Sequence, residues 1–439
     1  MLPYFFPDVF NPNGDPVGEA QTGWAQARRA IVRKPLDRIG FGGYLSLALQ
    51  FPEFVDQMEI MVDEFRSLHE MSDGELPANS RPVVALLNSW GKLRTWQTYI
   101  VAHALWYKQI YSYVGVIEAL AGLPFEVRFI SFDEVRQSEG KVLDDVDVLI
   151  NAGARDTAFS GGKTWDDPQL QELIRQFVWA GGGFIGVGAP TARTGSSAPI
   201  MVLDDVLGVD MEIDWTLSHT RHPVPHGSPH FITQGMSGAP DTGESPGDIV
   251  ATGANLNVLV GESDRVELAV NPFGEGRSVY IAGLPYSPEN SRMLHRAIMW
   301  AAHREDEIGD VLITDNPAVE VAWYPRSGKI LVYNGSPLPQ HAVVTGAPLQ
   351  RQDPEDGDDV ASVTVDLPGY ASEWIVLQGV VGSRPRPPIL CLRNAVRSCR
   401  WCGDEGGCFL ASLGEVLQVA TQPFFGEFLS TALGNHCPH

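Results

Sequence analysis

Apolar residues follow three patterns along the chain, and the first predicts helices. Near the N-terminus, apolar side chains recur at three- and four-residue spacing, as on the buried face of an amphipathic helix: Phe54, Met58, Met61, Phe65 and Leu68. A further helix is predicted from about Gln21 to Val32. Because so few helices make a poor domain alone, residues 1–78 are expected to be the end of a larger domain.

The second pattern alternates short apolar runs with helical periodicity, and it begins after the polar linker MSDGELPANSRP. One helix is predicted in PQLQELIRQFVWAGG, with Gly181 and Gly182 at its C-terminal end. A late strand and a closing helix are predicted in SVYIAGLPYSPENSRMLHRAIMWAAHRE. Earlier runs are predicted as buried strands: PVVALLN, FEVRFIS, VDVLINAG and GGFIGVG. The alternation predicts an α/β fold with a parallel, doubly wound sheet.

The third pattern, from about Asp310, contains strands only. Five apolar runs are separated by turn residues: AVEVAWYP, KILVYNGS, HAVVTG, ASVTVDLP and ASEWIVLQ. Short strands at this spacing predict a small antiparallel β-sandwich. The predicted domains are therefore residues 1–78, an α/β domain at 79–305, a β domain at 306–379 and a tail at 380–439, which is expected to be disordered.

The stretch GGGFIGVGAP at 181–190 matches the G-x-G-x-x-G pattern of dinucleotide-binding folds. In those folds the glycines follow a strand and open a helix, whose N-terminus then binds the pyrophosphate. Here the glycines follow a predicted helix and precede a strand. The reversed order argues against a phosphate site.

The same stretch ends in a turn of small residues, at the edge of the sheet where glutamine amidotransferase-like domains place a nucleophile elbow. An elbow requires Cys or Ser at its tip, whereas this chain has Ala189 there, after Gly188. Thr191 is a weaker candidate with no convincing base. The favoured interpretation is a close-packed structural connection without a nucleophile.

Two other segments contain residues suited to binding. Four histidines occur in SHTRHPVPHGSPHF, and histidine clusters bind zinc: His219, His222, His226 and His230. The interleaved prolines and the lack of neighbouring carboxylates or thiols favour a surface loop, so no metal is expected. The segment SWGKLRTWQTYIVAHALWYKQIYSYVG is rich in Trp and Tyr, which stack on sugars and also pack cores and interfaces.

Composition excludes several classes of function. The net charge of −23 over 439 residues repels nucleic acid and anionic membranes. No run approaches the roughly 18 apolar residues of a membrane span, and the N-terminus does not resemble a signal peptide, so a cytoplasmic location is expected.

All five cysteines follow residue 390. The favoured interpretation of the tail is a non-family extension. The alternative is a zinc knuckle formed by Cys399, Cys402 and Cys408 with Cys437, which is flanked by His436 and His439.

Dense stretches of the chain resemble the galacto-N-biose/lacto-N-biose phosphorylase family, glycoside hydrolase family 112. They include RRAIVRKPLDRIGFGGYLSLALQFPEFV, ALLNSWGKLRTWQTYIVAHALWYKQIYSYVGVIEALAGLPFEVRFISFDEV, AGARDTAFSGGKTWDDPQLQ and WAGGGFIGVGAPTA, and the resemblance extends over residues 1–378. It implies a (β/α)8 barrel, a glutamine amidotransferase-like domain and a β domain. Residues 1–78 would be the C-terminal remainder of the barrel, whose apolar helix stripe is then expected to be exposed.

The resemblance implies inverting phosphorolysis of a β-1,3-galactosyl-N-acetylhexosamine, with inorganic phosphate as co-substrate, no cofactor and a homodimer when full length. The catalytic acid would lie upstream of Met1, so no catalytic residue is assigned and the chain alone is expected to be inactive. Tyr4 and Phe6 in LPYFFPDVF are expected to contact the acceptor sugar, or only to pack the end of the barrel. Galactosyl-rhamnose phosphorylase and a non-catalytic scaffold remain alternatives.

Overall fold

The computed structural model describes residues 13–40, 45–89, 107–155, 157, 159–193, 195, 199–213, 229–236, 238–243, 245–246, 248–262, 265–350 and 362–377. Two compact units are distinguished, and Glu75–Leu377 form one of them, whereas Met1–Gly74 belong to the other. Tyr4, Phe6 and the tail at 380–439 lie outside the described residues, as do three of the four clustered histidines.

The described N-terminal residues are helical. The helices are α1 (Pro16–Arg33), α2 (Leu45–Ala48) and α3 (Pro52–Ser72). Helix α1 begins earlier than its apolar pattern predicts because Asp15 caps it: the carboxylate accepts a 2.8 Å hydrogen bond from the amide of Gly18. Pro16 then occupies the first helical position, where no N–H is needed.

Helices α1 and α3 pack against each other through their apolar faces. The rings of Trp24 and Phe65 meet edge to face, with centroids 6.5 Å apart. Phe54 and Met61 are only 2% and 5% exposed. The expectation of an exposed apolar stripe on α3 is therefore wrong for these two residues. Burial of an apolar side chain against any other apolar surface is favourable, and these two side chains are buried in that way.

The α/β region follows, with α-helices between several of its strands. In chain order its elements are β1 (Val83–Asn88), α4 (Tyr107–Gly122), β2 (Glu126–Ser131), α5 (Phe132–Gln137), β3 (Val148–Gly153), α6 (Pro168–Trp179), β4 (Gly183–Gly188), α7 (Asp204–Leu207), β5 (Val209–Met211), β6 (Ile249–Ala251), β7 (Asn257–Glu262), β8 (Arg265–Phe273), β9 (Gly276–Ile281) and α8 (Pro288–Ala301). Short 3-10 helices cover Lys141–Leu143, Gly162–Asp166, Phe231–Thr233 and Glu305–Asp310.

Nine strands of the described residues form one sheet, in the order β2-β1-β3-β4-β9-β8-β6-β5 with β7 also paired to β8. Strands β2, β1, β3, β4 and β9 are parallel, which confirms the predicted α/β fold with a parallel sheet. Strands β5 to β8 extend it with antiparallel pairs that the sequence patterns did not predict. Two of these strands have only three residues, too few to show a period.

Alternate residues of the central strands enter two apolar cores, one on each face of the sheet. Leu87, Leu149 and Phe184 lie in one core. Their sequence neighbours Leu86, Ile150 and Ile185 lie in the other. Burial on both faces explains why these strands are continuous apolar runs and not alternating ones.

The C-terminal strands form two three-stranded antiparallel sheets, ordered β10-β13-β14 and β11-β12-β15. Their elements are β10 (Ile313–Thr314), β11 (Val319–Tyr324), β12 (Lys329–Asn334), β13 (Gln340–Thr345), α9 (Ala347–Gln350), β14 (Ser362–Leu367) and β15 (Ser372–Val376). The predicted antiparallel strands are confirmed, and their packing as a sandwich stays a prediction. Across the residues with described structure, no helix combines the length and apolar character needed to cross a bilayer.

Candidate functional site

The candidate site is the edge of the sheet where the parallel strands end, since α/β folds bind ligands there at a topological switch point. Strand β1 pairs with β2 on one side and β3 on the other, so the strand order reverses beside β1. The loops after β3 and β4 are described parts of this edge. They contain the glycine turn and both residues considered as nucleophiles, Ala189 and Thr191.

The glycine-rich stretch joins helix α6 to strand β4, in the order that the sequence predicted. Its glycines allow close packing: a Cβ on Gly183 would lie 2.8 Å from the Ala301 carbonyl oxygen, and one on Gly186 would lie 2.6 Å from Pro190. Both glycines lie inside the strand. Neither is at a helix N-terminus, so the match to the dinucleotide motif has no phosphate-binding geometry here.

The turn after β4 has the sharp bend of an elbow but presents no reactive group. Gly188 has φ +80, and a Cβ there would lie 2.9 Å from the carbonyl oxygen of Gly153. That same oxygen accepts a 2.9 Å hydrogen bond from the amide of Ala189. The methyl side chain of Ala189 is 0% exposed. A substrate therefore has neither a nucleophile nor access at the tip.

Thr191, the weaker candidate, is also 0% exposed. Among the residues described, its hydroxyl oxygen Oγ1 has no hydrogen-bond partner. A nucleophilic hydroxyl needs an adjacent base to remove its proton. The geometry therefore gives Thr191 no catalytic role.

Polar side chains tie the two loops of this edge together. The buried Asn151 on β3 donates from Nδ2 to the carbonyl oxygens of Ser160, at 2.9 Å, and Pro190. Arg155 donates to the carbonyl oxygen of Gly195 at 2.5 Å, again from one loop to the other. The sequence reasoning missed these residues. The available signal was an Asn inside an apolar strand, because a buried amide must find partners.

The described histidine of the predicted loop, His230, has a structural role. Its Nδ1 accepts a 3.2 Å hydrogen bond from the amide of Ile232, at the start of a 3-10 helix. Its ring meets Trp300 edge to face, with centroids 5.4 Å apart. Burial lowers the pKa of His230. Its partners in the predicted cluster lie outside the described residues, and no group of three potential metal ligands occurs among those described.

Helices α1 and α3 contain a buried ion pair that the sequence reasoning also missed. Arg28, whose side chain is 0% exposed, forms a 2.8 Å ion pair with Glu64, and the indole N–H of Trp24 donates to the other oxygen of the Glu64 carboxylate. Buried guanidinium groups require such partners. This network fixes the packing of the two helices.

Sequence comparison identifies the family. A profile of the lacto-N-biose phosphorylase central domain matches residues 83–306, and a profile of the N-terminal TIM barrel domain of the same enzymes matches residues 1–80. The chain belongs to the lacto-N-biose phosphorylase family.

Several curated relatives are similar to this chain. A 1,3-beta-galactosyl-N-acetylhexosamine phosphorylase of Lachnoclostridium phytofermentans is 47% identical over 344 residues, which cover 78% of this chain and 47% of the relative. The enzyme of that name from Bifidobacterium longum is 42% identical, over 85% of this chain and 52% of the relative. A D-galactosyl-beta-1->4-L-rhamnose phosphorylase of L. phytofermentans is 34% identical, over 79% and 47%. The chain thus spans about half the length of these relatives.

Solved structures give weaker likenesses. A beta-galactosidase from Bacillus circulans sp. alkalophilus shows a TM-score of 0.39 at 17% identity, over 72% of this chain and 44% of that chain. A beta-galactosidase from Halorubrum lacusprofundi shows a TM-score of 0.36 at 15% identity, over 73% and 43%. TM-scores this low do not support any inference about function.

Proposed function

We propose that this chain is part of a 1,3-β-galactosyl-N-acetylhexosamine phosphorylase. The observation that carries the proposal is the 47% identity to an enzyme of that name over most of this chain. The D-galactosyl-beta-1->4-L-rhamnose phosphorylase is less similar, at 34% identity. The substrates would be lacto-N-biose or galacto-N-biose and inorganic phosphate, with no further cofactor.

The reaction is an inverting phosphorolysis. A carboxylic acid protonates the glycosidic oxygen while a phosphate oxygen attacks the anomeric carbon from the opposite face. The bond from the anomeric carbon to the acceptor sugar breaks, and a bond to phosphate forms, giving α-galactose 1-phosphate and free N-acetylhexosamine. Phosphate is already an anionic nucleophile, so a second carboxylate is not needed to activate it.

The general acid is proposed to lie outside these 439 residues. The family's active site is proposed to be in the barrel, and barrel enzymes place such groups at the ends of several strands. The described residues up to Gly74 contain helices and no strand. Tyr4 and Phe6 are proposed to contact the acceptor sugar in the full-length enzyme.

The α/β region is proposed to be glutamine amidotransferase-like in fold and structural in role, in a cytoplasmic homodimer. The buried Ala189 at the tip of its elbow supports this role. The loops around it bind one another through Asn151 and Arg155. No described group in them is arranged as a nucleophile with a base.

An assay of the 439-residue chain tests the proposal. Phosphate-dependent release of N-acetylglucosamine from lacto-N-biose is measured beside a full-length relative, with galactosyl-β-1,4-rhamnose as the competing substrate. The chain alone is expected to be inactive. Turnover within about a hundredfold of the relative, roughly 3 kcal/mol in barrier, would contradict the placement of the acid. Fusing to the chain the N-terminal barrel sequence of a relative that these 439 residues do not span should produce activity on lacto-N-biose. Activity only on the rhamnoside would contradict the proposed acceptor.

A further inference from the structure

Residues 75–80 lie in a segment whose polar composition predicts a linker. In the structure, three of them form hydrogen bonds to distant parts of the chain. We call residues 75–80 the strap. The Glu75 side chain is only 5% exposed, and Ser80 is 9% exposed. A buried carboxylate needs strong partners to offset the loss of its hydration. The partners of Glu75 come from the C-terminal strands.

Glu75 binds the turn between β11 and β12. Its Oε1 accepts a 2.5 Å hydrogen bond from the amide of Arg326, and its Oε2 accepts one of 3.0 Å from the amide of Ser327. Two successive backbone N–H groups directed at one carboxylate form an anion-binding nest. The Arg326 guanidinium is 3.6 Å away and its side chain is 58% exposed, so the backbone amides are the main partners.

The strap then follows the free edge of β11. The amide of Ala78 donates a 2.7 Å hydrogen bond to the carbonyl oxygen of Trp323, on a strand whose other edge pairs with β12. The amide of Ser80 donates at 2.6 Å to the carbonyl oxygen of Pro124, just before β2. The strap therefore binds the C-terminal strands at one end and the segment just before β2 at the other.

We infer that the strap is a conformational latch, with Glu75 as its anchor on the β11–β12 turn. While Glu75 holds the turn amides, the strap covers the edge of β11 and couples the C-terminal strands to the entry of β1. The latch requires that release of Glu75 also frees the Ala78 amide from Trp323, while Ser80 stays bound to Pro124. The inference is independent of the proposed reaction.

Hydrogen exchange of the full 439-residue chain tests the latch, with Glu75→Ala compared to the wild type. Exchange of the amides of Ala78, Arg326 and Ser327 is expected to accelerate together by at least about tenfold, as in a local opening. Glu373→Ala is the matched control, since it removes an exposed carboxylate from β15 of the same sheet. Arg326→Ala retains the backbone amide and is expected to change exchange by less than about threefold.

Two results would overturn the latch. One is exchange at all three amides within about twofold of the wild type in Glu75→Ala. The other is acceleration at Arg326 and Ser327 with Ala78 still protected, since Glu75 would then cap the turn without holding the strap. If Glu75→Ala fails to fold, Glu75→Gln is measured in the same way: joint acceleration supports the latch, and unchanged exchange refutes it.

Discussion

The hydroxyl of Tyr280 on β9 donates a 2.8 Å hydrogen bond to the carbonyl oxygen of Gly188, at the glycine turn that ends β4. The two residues are 92 positions apart in the chain, and Tyr280 is 0% exposed. The bond gives the Gly188 carbonyl oxygen a donor at the position where β4 ends in a bend. It therefore fixes the turn from the neighbouring strand.

Replacing Tyr280 with Phe tests the contribution of this bond. The substitution leaves the Gly188 carbonyl without its donor, which is expected to lower the free energy of unfolding by about 1–3 kcal/mol. Urea unfolding followed by circular dichroism measures the change. A stability equal to that of the wild type would show that the turn does not depend on Tyr280.

Substituting Ala189 with Cys places a thiol at the tip of the elbow, and no glutaminase activity is expected to follow. The tip is 0% exposed, so glutamine cannot reach it. The larger side chain is expected to cost about 1–3 kcal/mol of stability through overpacking. Release of glutamate from glutamine is measured for the variant and the wild type. Hydrolysis that requires the new Cys would contradict the structural role proposed for this turn.

Two threonines near the sheet edge should respond differently to Val. Thr191→Val removes a buried hydroxyl whose oxygen has no partner among the described residues. Stability is expected to stay the same or rise by about 1 kcal/mol. Thr157→Val instead removes a 2.7 Å hydrogen bond from Oγ1 to the Ala154 carbonyl oxygen, at an expected cost of about 1 kcal/mol. Loss of stability in Thr191→Val as large as in Thr157→Val would indicate a partner such as an ordered water.

Adjacent carboxylates on α3 give a second matched pair. Glu64→Gln is expected to cost about 3 kcal/mol, because it leaves the charge of the buried Arg28 without its carboxylate. Asp63→Asn disrupts only the pair with Arg66, whose two side chains are 59% and 73% exposed. That change is expected to stay below about 1 kcal/mol. The loss of stability is measured by thermal or urea unfolding. Equal losses in Glu64→Gln and Asp63→Asn would contradict the prediction that the buried ion pair contributes more to stability than the exposed one.

His230 should make folding sensitive to mild acid. Burial lowers the pKa of His230 below its ordinary value of 6.5, so the unfolded chain takes up a proton at a higher pH than the folded chain. The stability contributed by His230 is present above pH 6.5 and is lost as the pH falls through 6.5 toward the folded pKa. In His230→Asn, whose side-chain oxygen can still accept the capping hydrogen bond from the Ile232 amide, stability should fall less steeply below this pH. Identical pH profiles for variant and wild type would exclude the effect.

Zinc content tests the expectation that no metal is bound. The interleaved prolines of the histidine loop argue against a preformed ligand set. Purified chain is expected to contain far less than one zinc ion per molecule by elemental analysis. A stoichiometric metal that survives dialysis would overturn the expectation, and substitution of His230 would then show whether the loop holds it.

Much of the fold could be predicted because the positions of apolar residues in the sequence indicate which segments are buried. The runs that became β1, β3 and β4 are continuously apolar since both faces of the sheet are covered. The glycine stretch could be assigned to a helix-to-strand connection, and Ala189 could be identified as unreactive, from the order of the elements and the residue type alone. The antiparallel strands β5 to β8 could not be predicted in this way, because their pairing depends on distant segments.

The sequence by itself determined the α/β pattern, the antiparallel C-terminal strands and the lack of a nucleophile at position 189, since each depends on local periodicity or residue identity. Only the tertiary structure decided what the polar residues bind. Glu75 reads as part of a polar linker, yet it accepts a hydrogen bond from the amide of Arg326, 251 residues away. In the sequence, Arg28 and Glu64 are charged residues on two separate predicted helices. In the folded chain they form one ion pair between those helices. Hydrogen bonds and ion pairs act over a few ångströms in space, so their partners are set by the folded chain and leave no periodic signal in the sequence.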